Sequence, residues 1–357
     1  MTAAPLGPIV LVALACGLDR LLGDPRRCLH PVVVMGWLIG HWRRLVEAWA
    51  GDRPWRLRLG GLAITVLLVG GSALAGWGVE RLAIYAAVGG NQSGGLLPLL
   101  LRWGAALPLL IALASALAGR SLEQAVRAVL AAVAAGDLSL ARQRLSWIVG
   151  RDTDSLDGPE ILRAAAETAS ENGVDGLFAP LFWMLVGAGL WCGGALAGPG
   201  PLALAWAFKA ASTLDSMLGY RRGRLRWLGT AGARLDDLLV WLPCRLVALS
   251  LPLVAGCSVP VAWCRFRLAR RDGASDPSPN AGLSQAAYAH AVGVQLGGAN
   301  RYGGAIRHKP LLAAGAGGVT PAAVERMLQL SRRLELLWLL LAAVMALLLQ
   351  LLLTAAR

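Results

Sequence analysis

Three carboxylates open the most chemically loaded stretch of the chain. Glu167, Glu171 and Asp175 stand four residues apart in ETASENGVDGLFAPLFW, residues 167–183. On a helix that spacing puts all three on one face. Like charges so placed repel, so helix propensity does not account for them. A divalent cation or a cationic substrate would. So would a plain solvated acidic face with a turn at Asn172-Gly173. The acidic run ends at Gly176 and an apolar run begins at once, which sets the cluster at the mouth of a membrane helix.

Four further clusters carry groups that do chemistry. Residues 212–220 (STLDSMLGY) place hydroxyls and Asp215 at a helix end. Residues 233–238 (ARLDDL) place the adjacent carboxylates Asp236 and Asp237 at the start of an apolar segment. Such a pair holds Mg²⁺ together with a substrate phosphate, or complements a helix dipole. Residues 276–282 (DPSPNAG) form a rigid turn rich in hydrogen-bonding groups. Residues 295–304 (QLGGANRYGG) form a glycine-rich loop with one arginine, which either cradles phosphate or is simply flexible. The chain has no Walker A pattern, no G-x-S-x-G elbow and no H-E-x-x-H. Its histidines, His30, His41, His290 and His308, do not fall at a metal-ligand spacing.

The elements that position these groups are membrane helices. Of the 357 residues, 56% are apolar and 15% charged, with mean hydropathy +0.57. A soluble domain carries about 25% charged residues. The net charge of +13 comes almost wholly from arginine. In a membrane chain this marks cytoplasmic loops and not nucleic-acid binding. The expected class is an all-α, polytopic integral membrane protein with about five to seven segments, re-entrant stretches and cytoplasmic helical loops. Residues 1–357 are read as a single membrane domain. It contains a cytoplasmic amphipathic segment at 119–176 and a glycine-rich cytoplasmic segment at 265–334. Spans are expected near 59–78, 96–119, 177–197, 202–218 and 336–353. Residues 32–40 are too short to span and read as re-entrant or interfacial. Residues 238–263, basic at both flanks and broken by Pro243, Pro252, Gly256 and Pro260, read as a re-entrant hairpin or as a crossing that is an exception to the positive-inside rule, the hairpin being preferred. Lys209 lies inside an apolar helix and needs a partner, for which Asp215 is at hand. The six cysteines form no C-x-x-C pair and read as small buried hydrophobes. No lysine or arginine precedes Arg20, so the first apolar stretch is expected to be retained.

The clusters, taken in order with three other stretches, carry a resemblance. The pieces are Gly23-Asp24-Pro25 with His30-Pro31; Gly150-Arg151-Asp152; Glu167-Thr168, Glu171-Asn172 and Asp175-Gly176 with Ala179-Pro180-Leu181; Lys209 with Thr213-Leu214-Asp215-Ser216 and Gly219-Tyr220; Arg234-Leu235-Asp236-Asp237; Ser278-Pro279-Asn280-Ala281-Gly282; and Gln295-Leu296-Gly297-Gly298 with Tyr302. Each is common alone, but the ordered set is specific. It resembles the CobD/CbiB family of cobalamin biosynthesis, adenosylcobinamide-phosphate synthase. Ser170 stands where members carry Ala, and Gln285 where they often carry Glu.

The resemblance implies a ligase. It would join adenosylcobyric acid to (R)-1-amino-2-propanol or its O-phosphate, with ATP as co-substrate. A carboxylate resists amine attack until activated, most simply as an acyl phosphate, and phosphoryl transfer needs Mg²⁺ and positive groups. Glu167, Glu171 and Asp175 are expected to be catalytic, with Asp24 and His30 at the same face and His30 taking the amine proton. Asp236 and Asp237 are expected to hold metal. Substrate binding is assigned to Asn172, Lys209, Asp215, Ser216, Tyr220, Arg234, Ser278, Asn280, Gln295, Arg301, Tyr302 and Lys309. The expected setting is the inner membrane, multi-pass, with the site facing the cytoplasm. The expected partners are the corrinoid, the amino alcohol and the lipid bilayer, with no nucleic acid, and a homo-oligomer or a complex with other cobalamin-pathway enzymes. Two rival classes are a small-solute transporter using Lys209 and Asp215, and a membrane anchor for other corrin enzymes.

Overall fold

The computed structural model describes residues 7–23, 30–89 and 96–355. Four helices come first: α1 (Gly7–Leu22), α2 (Pro31–Ala50), α3 (Pro54–Gly89) and α4 (Leu96–Ala114). They are followed by α5 (Gly119–Ala134), α6 (Leu138–Ser146) and α7 (Gly158–Gly173). A π-helical turn (Val174–Phe178) joins α7 to α8 (Ala179–Cys192). Then come α9 (Pro201–Leu218), the single turn α10 (Leu225–Leu228), α11 (Thr230–Val254), α12 (Val259–Asp272) and α13 (Ala281–Val292). A β-hairpin, β1 (Leu296–Tyr302) with β2 (Ala305–Leu312), precedes the last helix, α14 (Pro321–Ala355).

Five stretches are long and apolar enough to cross a bilayer: Pro54–Ala87, Ala106–Ala134, Gly158–Cys192, Thr230–Val254 and Pro321–Leu352. The chain is thus a mostly helical, multi-pass membrane protein. It divides into two compact units. One takes residues up to Ala118, Ala179–Leu239 and Leu339 onward; the other takes Gly119–Phe178 and Val240–Trp338.

In the first unit α3 packs on α9, α2 and α10 around Met35, Ile39, Ile64, Leu68, Leu214 and Leu228. A Cβ at Gly76 would meet the backbone of Ala203 at 2.8 Å, so glycine there permits the α3–α9 approach. A buried carboxylate then fixes the start of α9. Glu80 of α3 accepts the backbone N–H groups of Gly200 (2.9 Å), Leu202 (2.6 Å) and Ala203 (3.2 Å). These are donors that a helix N-terminus leaves unpaired, and the helix dipole adds to the attraction. In the second unit α5, α6 and α7 bury Val129, Ala141, Leu145, Ile161 and Ala165.

Four expectations change. Residues 32–40 are not a short re-entrant piece. They open the 20-residue α2, which begins at Pro31 and is capped by His30. Residues 238–263 are not one broken hairpin. Pro243 and Pro252 lie inside the continuous α11, and the chain turns only at Gly256, in the left-handed region at φ +91°. Pro243 cannot bond the carbonyl four residues back. That carbonyl, Leu239 O, instead accepts the indole N–H of Trp183 at 3.2 Å. The helix α9 at 202–218, with Lys209 and Asp215 in it, is not among the five apolar stretches. The glycine-rich loop is a two-stranded antiparallel hairpin with a bulge between Leu296 and Gly298. The turn expected at Gly23-Asp24-Pro25 lies mostly outside the described residues.

Glu80→Ala is expected to strand three backbone donors in an apolar environment, destabilising the protein by about 3 kcal/mol. Thermal unfolding in detergent reads this as a clear fall in midpoint. An unchanged midpoint would remove Glu80 from its role as the cap of α9.

Candidate active site

The start of α7 is fixed locally. Asp157 accepts the Glu160 N–H at 2.8 Å, and Glu160 accepts the Asp157 N–H at 3.0 Å. This is a capping box, with Pro159 in the first turn. One face of α7 then carries Arg163, Glu167 and Glu171 at four-residue steps.

Glu167 is buried and held on every side. It pairs with Arg151 and, at 3.2 Å, with Arg163. Its Oε1 also accepts the Gly297 N–H at 2.9 Å. Arg163 donates onward to the carbonyls of Gly297 (2.7 Å) and Ala299 (3.0 Å) and to Asn300 Oδ1 (3.0 Å). Arg151 reaches the same Asn300 oxygen. At the far end of the hairpin Asp152 accepts the N–H groups of Gly303 (3.0 Å) and Gly304 (2.8 Å). Those two bonds hold its carboxyl below the usual range.

Glu171 lies one turn further along. Gln285 Nε2 of α13 donates to its Oε2 at 2.5 Å. Lys309 of β2 faces it, together with Asp276, whose Oδ2 stands 3.5 Å from the Lys309 ammonium. Burial pushes the Lys309 ammonium down, but Glu171, Asp276, Tyr302 and Glu167 outweigh it and hold it above its ordinary value. Lys309 is therefore a fixed cation near neutral pH. Asp276 is set by its own turn. Its Oδ1 accepts the Ser278 N–H at 2.9 Å, and a Cβ at Gly282 would meet Asp276 Cβ at 2.5 Å.

The hairpin's root carries a further pair. Asp272 Oδ2 meets His290 Nε2 at 2.8 Å and accepts the Ala313 N–H at 3.2 Å. Burial pushes the Asp272 carboxyl up, but the bonds from His290 and Ala313 prevail and hold it below 3.8.

The expected site residues divide between the two units. The second unit brings Glu167, Glu171, Tyr302 and Lys309 together. Asp175 falls in the π-helical turn, where the four-residue register drifts, and lies within electrostatic reach of Cys244 of α11. Asn172 is exposed at the end of α7, and the Arg301 side chain is exposed while its carbonyl accepts the Asp152 N–H. Ser278, Asn280 and Gln295 build backbone. Ser278 Oγ accepts the Ala281 N–H (3.2 Å), Asn280 accepts from Arg245 (2.8 Å), and Gln295 accepts the Gly315 N–H (3.0 Å).

The first unit gathers the other group. Asp236 lies within electrostatic reach of Asp215, Asp237 and Lys209, and Arg221 faces Asp237. Asp236 Oδ1 is buried with no hydrogen-bond partner among the described residues. Two adjacent carboxylates with such an oxygen fit a hard cation that completes its shell with phosphate and water. Among the described residues no three His, Cys, Asp or Glu side chains converge as a metal cage. His30 Nδ1 accepts the Val32 N–H at 3.3 Å, Arg222 covers the exposed Tyr220 ring at 5.0 Å, and Ser216 and Arg234 are exposed. Asp24 lies outside the described residues.

Arg151, Arg163, Asp276, Gln285 and Asn300 were not among the expected site residues. Arg163 had a signal, standing four residues before Glu167.

Glu167→Gln leaves the buried Arg151 without its counter-charge. It is expected to destabilise the protein by about 3–5 kcal/mol, read by thermal unfolding. Asp272 gives a pH test. Its folded value is depressed, so its contribution is present above 3.8 and is lost as pH falls through the folded value. The stability gap between wild type and Asp272→Asn should be full at about pH 6 and close in more acidic buffer. A gap constant across that range would show that the carboxylate adds nothing.

Known proteins place the chain in a family. A family model described as CobD/Cbib protein matches residues 12–331. A cobalamin biosynthesis protein CobD of Synechocystis sp. is 40% identical over 346 residues, covering 97% of this chain and 94% of that one. One of the same name from Geobacter metallireducens is 40% identical, covering 95% and 96%. A cobalamin biosynthesis protein CbiB of Salmonella typhi is 37% identical, covering 90% and 92%. No solved structure matches. Matched across nearly its whole length, the chain belongs to the CobD/CbiB family.

Proposed function

We propose that this chain acts in cobalamin biosynthesis as a ligase. It joins adenosylcobyric acid, through a propionate carboxyl of the corrin ring, to (R)-1-amino-2-propanol or its O-phosphate. The family and the names of its relatives support the pathway. One observation carries the chemical reading: the Lys309 ammonium, Asp276 and Glu171 meet beside a glycine-rich hairpin.

In this reading the propionate oxygen attacks the γ-phosphorus of ATP, and ADP leaves. The amine nitrogen then attacks the acyl carbon, phosphate leaves, and the surplus amine proton passes to a carboxylate. Lys309, fixed as a cation, binds phosphate or carboxylate oxygens and is no base. Glu171 and Asp175 orient the ammonium group and take its proton. Glu167 acts through Arg151 and Arg163, which aim the hairpin. In the second unit Arg301 and Tyr302 bind corrin carboxylates or phosphate. In the first unit Arg234 has the same role, and Asp236 and Asp237 would hold magnesium, which neutralises charge on phosphate oxygens when bound. We read the reaction as cytoplasmic, at the inner membrane, because ATP is found on that side.

The test is turnover by the detergent-purified protein with adenosylcobyric acid, Mg-ATP and either amine, with products read by mass spectrometry. An ATP-dependent amide product is expected. Lys309→Met and Glu171→Gln should each lower kcat by about 10²-fold or more while the protein stays folded. Absence of product with both amines, or full turnover by both variants, would overturn the reading.

A further inference from the structure

We propose that Arg81, clamped between Trp77 and Trp191, forms a phosphate-binding site that takes the phosphodiester of a membrane lipid. The site lies in the first unit, near the C-terminal end of α3. Arg56 and Arg58 mark the opposite end of that helix.

The guanidinium carbon of Arg81 sits 5.8 Å from the centroid of Trp77 and 5.7 Å from that of Trp191. Indole faces attract a cation but offer its N–H groups no acceptor. Both Nε and Nη2 of Arg81 are buried and have no hydrogen-bond partner among the described residues. Buried donors are rarely left in that state, and a guanidinium less than most. The adjacent acid does not supply the acceptor. Both oxygens of Glu80 are taken by the N–H groups of Gly200, Leu202 and Ala203.

Arg81 also lines a cavity of about 490 Å³, shared with Trp77, Gly78, Leu82, Tyr85 and Ala197. Among the described residues no acidic side chain lines it. A Cβ at Gly78 would meet nothing within 4 Å, so the space beside the arginine is open. The missing partner is therefore an oxyanion that enters the cavity, and the fork of an arginine matches a phosphate.

Placement identifies the source. Arg81 stands eight residues before the end of α3 at Gly89. At about 1.5 Å per residue this is roughly 12 Å from the helix's end, and a long arginine side chain there reaches towards the headgroup zone. Trp77, Arg81 and Tyr85 recur every four residues on one face, in the manner of an interfacial aromatic belt. Leu74 and Leu82 beside them are exposed, which gives acyl chains a surface to lie along.

The test uses delipidated wild type and two variants in detergent. Arg81→Gln removes the fork. Gly78→Leu fills the cavity and leaves Arg81 in place, which keeps the test open if the first variant folds poorly. Short-chain phosphatidylglycerol, a neutral glycolipid of equal chain length and inorganic phosphate are titrated separately. Binding is read by thermal midpoint, tryptophan fluorescence and native mass spectrometry. We expect saturable phosphatidylglycerol binding by wild type, about tenfold or more weaker in both folded variants, with neither glycolipid nor phosphate replacing it. Equal binding of phosphatidylglycerol by wild type and Gly78→Leu would overturn the site. A saturable response to inorganic phosphate with none to the lipid would overturn the lipid as its ligand.

Discussion

A hairpin of two strands is at best marginal alone in water, and this one carries Gly297 and Gly298 in its first strand. Its position is dictated by one buried carboxylate. Glu167 binds Arg151, Arg163 and the Gly297 N–H at once, and Arg163 continues the chain of bonds to the carbonyls of Gly297 and Ala299. Polar bonds thus do for β1 what apolar packing does elsewhere. Glycine is required where the strand meets this anchor. Gly297 has φ +83°, and a Cβ there would fall 1.9 Å from the Pro310 carbonyl. The bulge follows from that contact, and β2 is fixed by its pairing to β1. Lys309 reaches Asp276 and Glu171 because the strand that carries it is tied to α7.

In the apolar helices the same rule of satisfaction applies more severely, since no water is at hand to replace a missing partner. Glu80 is tolerated because three N–H groups meet it. Pro243 is tolerated because Trp183 takes the carbonyl it frees. Thr65 returns its hydroxyl to the Gly61 carbonyl at 2.8 Å. Where buried polar groups are matched in this way, the unmatched ones carry information. Asp236 Oδ1 and the Arg81 donors are of this kind. They are of opposite sign, and so call for ligands of opposite charge.

What the sequence disclosed was local. Apolar runs gave the long helices, and four-residue spacing gave the acidic face of α7. The same spacing would have yielded Arg163 as the partner of Glu167. What it hid was distant or against propensity. Gln285 and Glu171 are 114 residues apart, and Lys309 and Asp276 lie on separate elements. The strands at 296–312 were hidden because glycine, asparagine and lysine have low strand propensity, and their order comes from Glu167 and Asp152. The prolines of α11 misled for a related reason. They predict a break only if the freed carbonyl finds no donor, and the donor came from 56 residues away.

The repulsion among Glu167, Glu171 and Asp175 first called for a cation. The chain itself supplies cations there. Two arginines answer Glu167, Lys309 answers Glu171, and the π-helical turn lets Asp175 drift from their row. The same argument keeps its force in the first unit. There Asp236 lies within electrostatic reach of Asp215, Asp237 and Lys209, and Arg221 faces Asp237. Asp236 contributes a buried oxygen that no donor among the described residues meets. Hydrogen-bond partnering therefore separates the two groups. Around α7 the acids are matched by fixed cations, which suits holding and aiming a substrate. Around Asp236 the adjacent carboxylates and the unmet oxygen fit a hard cation that completes its shell with phosphate.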